Sequence, residues 1–209
     1  MTLMDRKHHW DKVYQTKSAD SVSWFQPHAE TSLRLIEGVA PDKRASIIDV
    51  GGGASKLVDG LLDDGYLDLS VLDLSGQALS VAKNRLGEKA GCVSWIEGDI
   101  TKVCLPAHRY DIWHDRAVFH FLTEADDRQA YVAQVLKAVK PGGHVIVASF
   151  AEDGPEKCSG LEVVRYSPDK LHSQFGGTFR LLGHEREAHR TPAGKEQLFV
   201  YCYCRVENN

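Results

Sequence analysis

The sequence lacks a strong excess of charge, a long apolar run and a regular cysteine pattern. Its 209 residues carry a net charge of −4, which argues against a general nucleic-acid binder with a basic face. No stretch approaches the roughly 18 apolar residues of a membrane span, and we expect no secretory leader at the start. Five scattered cysteines predict reduced thiols in a cytoplasm, without a disulfide framework.

Between about residues 29 and 150, apolar runs alternate with helical patterns. The runs are nearly continuous, as is typical of parallel strands covered on both faces. This alternation predicts a Rossmann-like α/β fold with helices on both sides of the sheet. The predicted strands are Ser46–Val50, Leu69–Asp73, Val93–Glu97, Tyr110–His114 and His144–Phe150. The predicted helices are about 29–39, Lys56–Asp64, Gln77–Leu86 and Asp126–Val139, with a turn at Lys140–Gly143.

The last third of the chain has a different pattern. Ser167 followed by Pro168 predicts the start of a short helix that reaches about Phe175. Two strand-like runs, Phe179–Glu187 and Gln197–Arg205, then flank a turn and predict a hairpin. No linker-like stretch interrupts the chain, so we expect residues 1–209 to form a single domain.

A glycine-rich turn follows the first predicted strand. Asp49 precedes Gly51-Gly52-Gly53, and glycines here allow a ligand to approach the backbone closely. Lys56 replaces the third glycine of the dinucleotide fingerprint. A carboxylate at Asp49 repels a pyrophosphate and favours a cation, such as the ammonium and sulfonium of S-adenosylmethionine (SAM). The alternative is an aspartate with a purely structural or solvated role.

Two further acids end the second strand and follow the third strand. Asp73, beside Leu74, has the position of an acid that accepts both ribose hydroxyls. Asp99 is placed to accept a hydrogen bond from an adenine amino group, with Ile100 packing on the ring. Strand ends converge on one crevice in a doubly wound sheet, so these acids predict a nucleoside site. Each is alternatively a simple turn residue.

Several segments together resemble the class I SAM-dependent methyltransferases. They are DVGGGASKLVDGLL, VLDLS, GDI, YDIWHDRAVFHFL and LKAVKPGGHVIV, which span about residues 45–150. The resemblance implies a seven-stranded, mostly parallel sheet with an antiparallel C-terminal hairpin. It also implies that Gly51 and Gly53 lie under the methionine part of SAM, that Asp73 binds the ribose and that Asp99 binds the adenine. Ser55 replaces a usual glycine, and the motif of amide and base N-methylases is missing.

The leading segment narrows the resemblance to one branch. His9-Trp10-Asp11, Tyr14 and Ser23-Trp24-Phe25 are similar to small lysine methyltransferases of elongation factor 1A and citrate synthase. That branch implies that residues 1–40 form a helical cap, with Tyr14 and Trp24 covering the cofactor. The alternative is that these aromatic residues are part of the core. The acceptor stays open between a protein lysine and a small molecule such as a thiol, carboxylate or metalloid.

Candidate catalytic residues follow the fourth strand. Methyl transfer needs a general base only when the acceptor carries a proton, so no catalytic motif is obligatory. His120 has the pKa range of a base, and Asp115 has the position to contact the methionine end of SAM or the acceptor. Packing is the alternative for His120, and helix capping is the alternative for Asp115. His114 and Arg116 lie in the same segment.

The long segment Glu152–Arg165 predicts a lid or acceptor loop, with Cys158 and Tyr166 as candidate contacts. Cys202 and Cys204 lie two apart on a strand and therefore on one face. We expect all three cysteines to be structural thiols, not a metal or metalloid site, and no metal cofactor. Two alternatives to a methyltransferase remain: a non-catalytic SAM-binding protein and an NAD-dependent oxidoreductase.

Overall fold

The first strand, Ser46–Val50, is buried at all five positions. Its side chains alternate between two apolar clusters, since Ile48 packs into one and Ile47 into the other. The computed structural model describes residues 3–207 and places this strand in the middle of a seven-stranded sheet. The strands are β1 (Ser46–Val50), β2 (Asp68–Asp73), β3 (Val93–Glu97), β4 (Tyr110–Arg116), β5 (Val139–Phe150), β6 (Lys157–Cys158), β7 (Leu161–Glu162), β8 (Phe179–Arg190) and β9 (Glu196–Val206). The α-helices are α1 (Leu3–Thr16), α2 (Glu30–Val39), α3 (Leu57–Asp63), α4 (Gly76–Leu86), α5 (Ala125–Ala138) and α6 (Pro168–Ser173).

The strand order is β3-β2-β1-β4-β5-β9-β8. β1 to β5 pair in parallel, whereas β9 inserts antiparallel between β5 and β8. This order confirms the predicted Rossmann-like methyltransferase fold, including its C-terminal hairpin. The chain changes direction across the sheet between β1 and β4, and the carboxyl ends of these strands open a crevice where such folds bind ligands.

Helices cover both faces of the sheet, as predicted. Tyr131 of α5 and Leu171 of α6 belong to one apolar cluster, while Ile36 of α2 and Leu61 of α3 belong to the other. Ser167 caps α6, because its hydroxyl accepts a hydrogen bond from the Lys170 amide. Within residues 3–207, no helix has both the length and the apolar character needed to cross a bilayer.

Two segments differ from the sequence predictions. The predicted turn at Lys140–Gly143 is an irregular part of β5, where Val139 still pairs with Tyr110 and regular pairing resumes at His144. The predicted loop Glu152–Arg165 contains the small ribbon of β6 and β7. Ser159 and Gly160 join these two strands with φ angles of 51° and 80°, the backbone conformation that two-residue hairpin turns require.

Helix α1 lies across the carboxyl ends of the strands and is held there by polar contacts. These contacts reach α4, the end of β3, the start of α5 and the β6–β7 turn. The contacts are Asp11 with Ser75 (2.6 Å), Lys7 with Glu97 (2.8 Å), Arg6 with Asp127 (3.3 Å) and His9 with Ser159 (3.3 Å). The N-terminal segment therefore covers the crevice.

The turn after β4 fits tightly against the glycine turn after β1. Ala117 has a left-handed φ of 74°, an uncommon conformation for a residue with a Cβ atom. The turn brings Val118 so close to Gly51 that a Cβ atom on Gly51 would lie 1.9 Å from the Val118 Cγ2. Gly51 itself has a φ of 70°. Both backbone conformation and packing therefore require glycine at this position.

We expect Gly51→Ala to lower the free energy of unfolding by about 2–4 kcal/mol, since left-handed strain and overpacking add. Gly65→Ala is the matched control, because Gly65 also has a positive φ, of 86°, but no atom lies within 4 Å of its Cβ position. That control should lose only about 1 kcal/mol. Urea unfolding measures both, and equal losses would contradict the close contact between Gly51 and Val118.

Candidate functional site

Two adjoining cavities lie at the carboxyl ends of the central strands. The larger has a volume of about 120 Å³ and the smaller about 50 Å³. They share the wall formed by Tyr14, Trp24, Gly51 and Arg116. Residues that line only the larger include Arg6, Trp10, Leu72, Asp73, Leu74, Gly98, Asp99, Ile100, Ala117, Val118, Phe121, Leu122 and Cys158. Residues that line only the smaller include Val22, Phe25, Gln26, Ser32, Asp49, Gly52, Ser55 and His114.

Asp99 lines the larger cavity, and one of its two carboxylate oxygens accepts hydrogen bonds from the protein. Its Oδ1 accepts hydrogen bonds from the Thr101 amide (2.9 Å) and the Thr101 hydroxyl (2.8 Å). Its Oδ2 is buried and has no partner among the described residues. A buried acceptor without a donor is unfavourable, so this oxygen is suited to a donor from a bound ligand.

Asp73 lines the same cavity one strand nearer the centre. Its Oδ1 accepts a hydrogen bond of 2.8 Å from the Ser75 amide. Burial raises the pKa of this carboxyl to about 7, and the nearby charges of Asp49 and Asp11 add to the increase. The carboxyl can therefore gain or lose a proton near neutral pH when its environment changes.

Asp49 lies in the smaller cavity, apart from Asp73 and Asp99. Its Oδ1 lies 2.7 Å from the Nδ1 of His114, and both side chains are buried. The sequence predicted an aspartate facing a cation, and the structure places a histidine on one of its oxygens. His114 was only one of several candidates after the fourth strand, because the pairing depends on the register between β1 and β4.

Aromatic side chains form one wall of the larger cavity. Trp10 meets Trp24 and Phe121 edge-on, with ring centroids 5.6 Å and 5.2 Å apart, and Trp24 donates a hydrogen bond of 3.2 Å to the Tyr14 hydroxyl. Arg6, Trp10 and Tyr14 all line this cavity from α1. Their spacing of four residues marks one face of a helix, which is the sequence signal that would have identified Arg6 and Trp10.

Arg116 connects the two cavities. Its guanidinium group lies 4.1 Å from the Phe199 ring centroid and donates hydrogen bonds to Glu187 (2.9 Å) and Tyr201 (3.1 Å). The side chain is 9% exposed, so a buried ion pair holds a positive charge at the boundary between the cavities. Glu187 and Tyr201 come from the C-terminal hairpin, which sequence spacing does not connect with this site.

Asp115 and His120, the predicted catalytic pair, do not line either cavity. Asp115 accepts hydrogen bonds from the amides of Val118 (2.8 Å) and Phe119 (3.1 Å) and from the Tyr131 hydroxyl (2.6 Å), so it caps the turn after β4. The predicted contact of Asp115 with cofactor or acceptor is therefore corrected to a capping role. Both carboxylate oxygens of Asp115 therefore accept hydrogen bonds from other residues of the protein.

His120 is buried against Phe121 and Phe150, with ring centroids 4.5 Å and 4.7 Å away. The Phe150 amide donates to its Nδ1 at 3.4 Å, and its Nε2 has no partner among the described residues. Burial lowers its pKa to about 3. The predicted general base is therefore a neutral, packed side chain, and the alternative of packing applies.

Gly53 and Tyr166 lie outside the cavity walls, and the cysteines that the sequence singled out do not form one group. Gly53 is buried behind the wall, where a Cβ atom would lie 2.6 Å from the Asp73 Oδ2. Tyr166 is buried in the core and lines neither cavity. Cys158 belongs to one apolar cluster and Cys202 and Cys204 to the other, so Cys158 lies apart from the other two, whose sulfur atoms are 3.7 Å from each other. Among residues 3–207, no cluster of three metal-ligating side chains occurs.

Residues 47–143 match the sequence profile of a family described as a methyltransferase domain. This range contains the glycine turn and the strand ends that carry Asp49, Asp73 and Asp99. No curated protein matches the sequence significantly.

Several solved structures have the same fold. One, described in work on conversion of a disulfide bond into a thioacetal group during echinomycin biosynthesis, is 18% identical with a TM-score of 0.75, covering 97% of this chain and 92% of that one. A SAM-dependent methyltransferase from Anabaena variabilis is 12% identical with a TM-score of 0.74, covering 99% and 96%. The Burkholderia thailandensis 1,6-didemethyltoxoflavin N1-methyltransferase, with bound S-adenosylhomocysteine, is 16% identical with a TM-score of 0.67, covering 98% and 85%. At these identities the likeness establishes the fold.

We expect His120→Leu to change the pH dependence of stability. In the unfolded chain a histidine takes up a proton below a pKa of about 6.5, whereas the folded state resists this until about pH 3. The wild-type protein should therefore lose about 2 kcal/mol more stability than the variant between pH 7 and pH 5. Urea unfolding at both pH values measures this difference. Parallel losses in the two proteins would show that the imidazole is not held neutral by the fold.

Proposed function

We propose that the chain is a SAM-dependent methyltransferase whose larger cavity binds the adenosine part of SAM. The match to a methyltransferase domain and a similar structure with bound S-adenosylhomocysteine support SAM as the cofactor, and they do not favour the non-catalytic or NAD-dependent alternatives. One observation carries the assignment of the cavity: Asp99 lies in its wall, and its buried Oδ2 has no partner among residues 3–207. An adenine amino group would supply the missing donor, while Ile100 packs against the ring.

The neighbouring strand end supplies the ribose site in this proposal. Asp73 is the only ionisable side chain at the end of β2, and a carboxylate accepts two hydroxyl hydrogen bonds at once. Leu74 and Gly51 complete the wall beside it. The hydroxyl groups would stabilise the ionised carboxylate and lower its pKa from about 7.

The smaller cavity takes the methionine tail. Asp49 would pair with the ammonium group and Arg116 with the carboxylate, since both groups line this cavity. Tyr14, Trp24 and Gly51 lie in both cavities, so the sulfonium belongs at their junction. Aromatic rings beside a cation stabilise it, which supports a covering role for Tyr14 and Trp24. The described part of the leading segment, residues 3–40, would then form a cap over the cofactor within one domain.

The sulfonium supplies an already activated methyl group, so the chain must align an acceptor and exclude water. Trp10, Ala117, Phe121 and Cys158 line the larger cavity beyond the adenosine residues. Burial raises the Cys158 pKa to about 12, so this thiol is neutral. This part of the wall offers neither a carboxylate nor a titratable base.

That wall favours a small acceptor with an apolar body over a protein lysine. A lysine ammonium would need a group to remove its proton and a carboxylate to offset its burial, and an unpaired buried charge is costly. A thiolate or heteroaromatic nitrogen already has a free electron pair at neutral pH. The acceptor that we propose therefore differs from the lysine acceptors of the branch that the leading segment resembles.

We expect the affinity for 5′-methylthioadenosine to increase about tenfold between pH 6 and pH 8. This nucleoside carries the ribose but no amino acid tail, so its own charge stays constant. Ribose hydroxyls favour ionised Asp73, whose pKa of about 7 in the free protein makes binding release a proton. Calorimetry in buffers of different ionisation enthalpy measures both quantities.

Asp73→Asn is the matched control for this experiment. It keeps the size of the side chain but has no carboxyl to ionise, so it should bind more weakly and with little change between pH 6 and pH 8. A variant with unchanged affinity and an unchanged pH profile would remove Asp73 from the nucleoside site.

We expect labelled SAM to methylate small molecules and not protein when the enzyme is incubated with a fractionated lysate. Thiophenol and benzimidazole serve as defined probes, against an N-acetyl-lysine amide as the charged probe. Phe121→Ala should lower kcat/KM for the active probe about tenfold and leave the Kd of S-adenosylhomocysteine unchanged, because the ring borders only the proposed acceptor region. Label on protein lysine would contradict the small acceptor.

A further inference from the structure

A buried chain of hydrogen bonds runs behind the smaller cavity and ends on Asp49. His114 Nδ1 lies 2.7 Å from the Asp49 Oδ1, and His114 Nε2 lies 2.9 Å from the Ser32 Oγ. The Ser32 Oγ lies 3.4 Å from the Tyr201 hydroxyl, which accepts a hydrogen bond of 3.1 Å from the Nε of Arg116. The chain thus joins one proposed tail contact, Asp49, to the other, Arg116.

The hydrogen bonds of His114 can be ordered from Asp49 outward. An ionised carboxylate only accepts, so His114 donates from Nδ1 to Asp49, and its neutral Nε2 then accepts from the Ser32 hydroxyl. This order fixes the tautomer of His114 and the rotation of its ring. Hydrogen bonds aligned in one direction polarise one another, which strengthens the bond to Asp49.

The residues at the centre of this chain of hydrogen bonds are buried. His114, Ser32 and Asp49 are 2%, 1% and 4% exposed, so water cannot replace a lost partner easily. The three residues come from β4, α2 and β1, and Tyr201 comes from β9. Four separate elements therefore fix the position of one carboxylate.

The second oxygen of Asp49 packs closely against the glycine turn. A Cβ atom on Gly52 would lie 2.4 Å from the Asp49 Oδ2 and 2.8 Å from the Val71 Cγ1. Glycine at this position lets the carboxylate lie directly against the backbone of the turn. With Oδ1 bonded to His114, Oδ2 is the oxygen available to a ligand in the smaller cavity.

We propose that His114 is a positioning residue that, supported by Ser32, orients Asp49 and so confers selectivity for a ligand with an amino acid tail. This inference rests on the proposed function, since Asp49 is there assigned to the ammonium group of SAM. His114 uses both ring nitrogens within the protein, so it acts on the ligand through Asp49.

The test compares two ligands that differ only in the tail. In the proposed binding mode, S-adenosylhomocysteine occupies both cavities, whereas 5′-methylthioadenosine occupies only the larger one. We expect His114→Leu to weaken S-adenosylhomocysteine roughly tenfold or more, the usual effect of losing a hydrogen bond to a charged group, and to leave 5′-methylthioadenosine within about twofold. Calorimetry at pH 7.5 gives both Kd values.

Two further variants separate positioning from folding. His114→Asn keeps a short-range donor for Asp49 and should restore most of the affinity for S-adenosylhomocysteine. Ser32→Ala leaves His114 in place but removes the donor to Nε2, so it should weaken S-adenosylhomocysteine about threefold and spare the nucleoside. Ser32→Ala gives the same comparison if His114→Leu does not fold.

Equal loss of affinity for both ligands in either variant would overturn the positioning role and leave only a structural one. Wild-type protein that binds 5′-methylthioadenosine as tightly as S-adenosylhomocysteine would overturn the tail assignment and the inference with it. Wild-type protein that binds neither ligand would instead overturn the proposed function, so the two failures are distinguishable.

Discussion

The site depends on one electrostatic constraint: three carboxylates lie at adjoining strand ends in a partly buried crevice. Burial disfavours the ionised form of a carboxyl and raises the pKa of Asp73 to about 7, and the nearby charge of Asp49 adds to the increase. Each acid has a different local partner. Asp49 has a histidine, Asp73 has a backbone amide, and Asp99 has a threonine that leaves one oxygen unpaired. A cationic ligand with hydroxyl and amino donors relieves all three conditions together.

The turns around the crevice leave room for these carboxylates. Gly52 and Gly53 leave room for the oxygens of Asp49 and Asp73, since a Cβ atom on either would overlap them. The turn after β4 closes the crevice from the other side, and its Asp115 cap is itself held by the Tyr131 hydroxyl. Asp115 thus fixes the backbone of this turn between Arg116 and Phe119.

The sequence predicts the strands and the acids well because both are local features. Val93–Glu97 and Ser46–Val50 have the predicted limits, and the acids follow from their place at strand ends. Pairings between distant residues could not be predicted. His114 meets Asp49 across 65 positions, and Glu187 meets Arg116 across 71, because strand register and order bring them together. For His120 the sequence left a general base and a packed side chain open, because the ordinary pKa of a residue type says nothing about its burial.

The two sides of the crevice differ in what they demand of a bound molecule. On the side of Asp49 and Arg116, polar atoms have fixed partners, so a ligand must match their positions to compensate for lost water. On the other side, the wall is aromatic. The rings of Trp10 and Phe121 meet there edge to face, with centroids 5.2 Å apart. Such a surface binds the apolar part of a molecule and excludes water, and it requires no particular pattern of hydrogen bonds from that molecule. In the function that we propose, the polar side therefore selects the cofactor and the aromatic side selects an acceptor by its apolar shape.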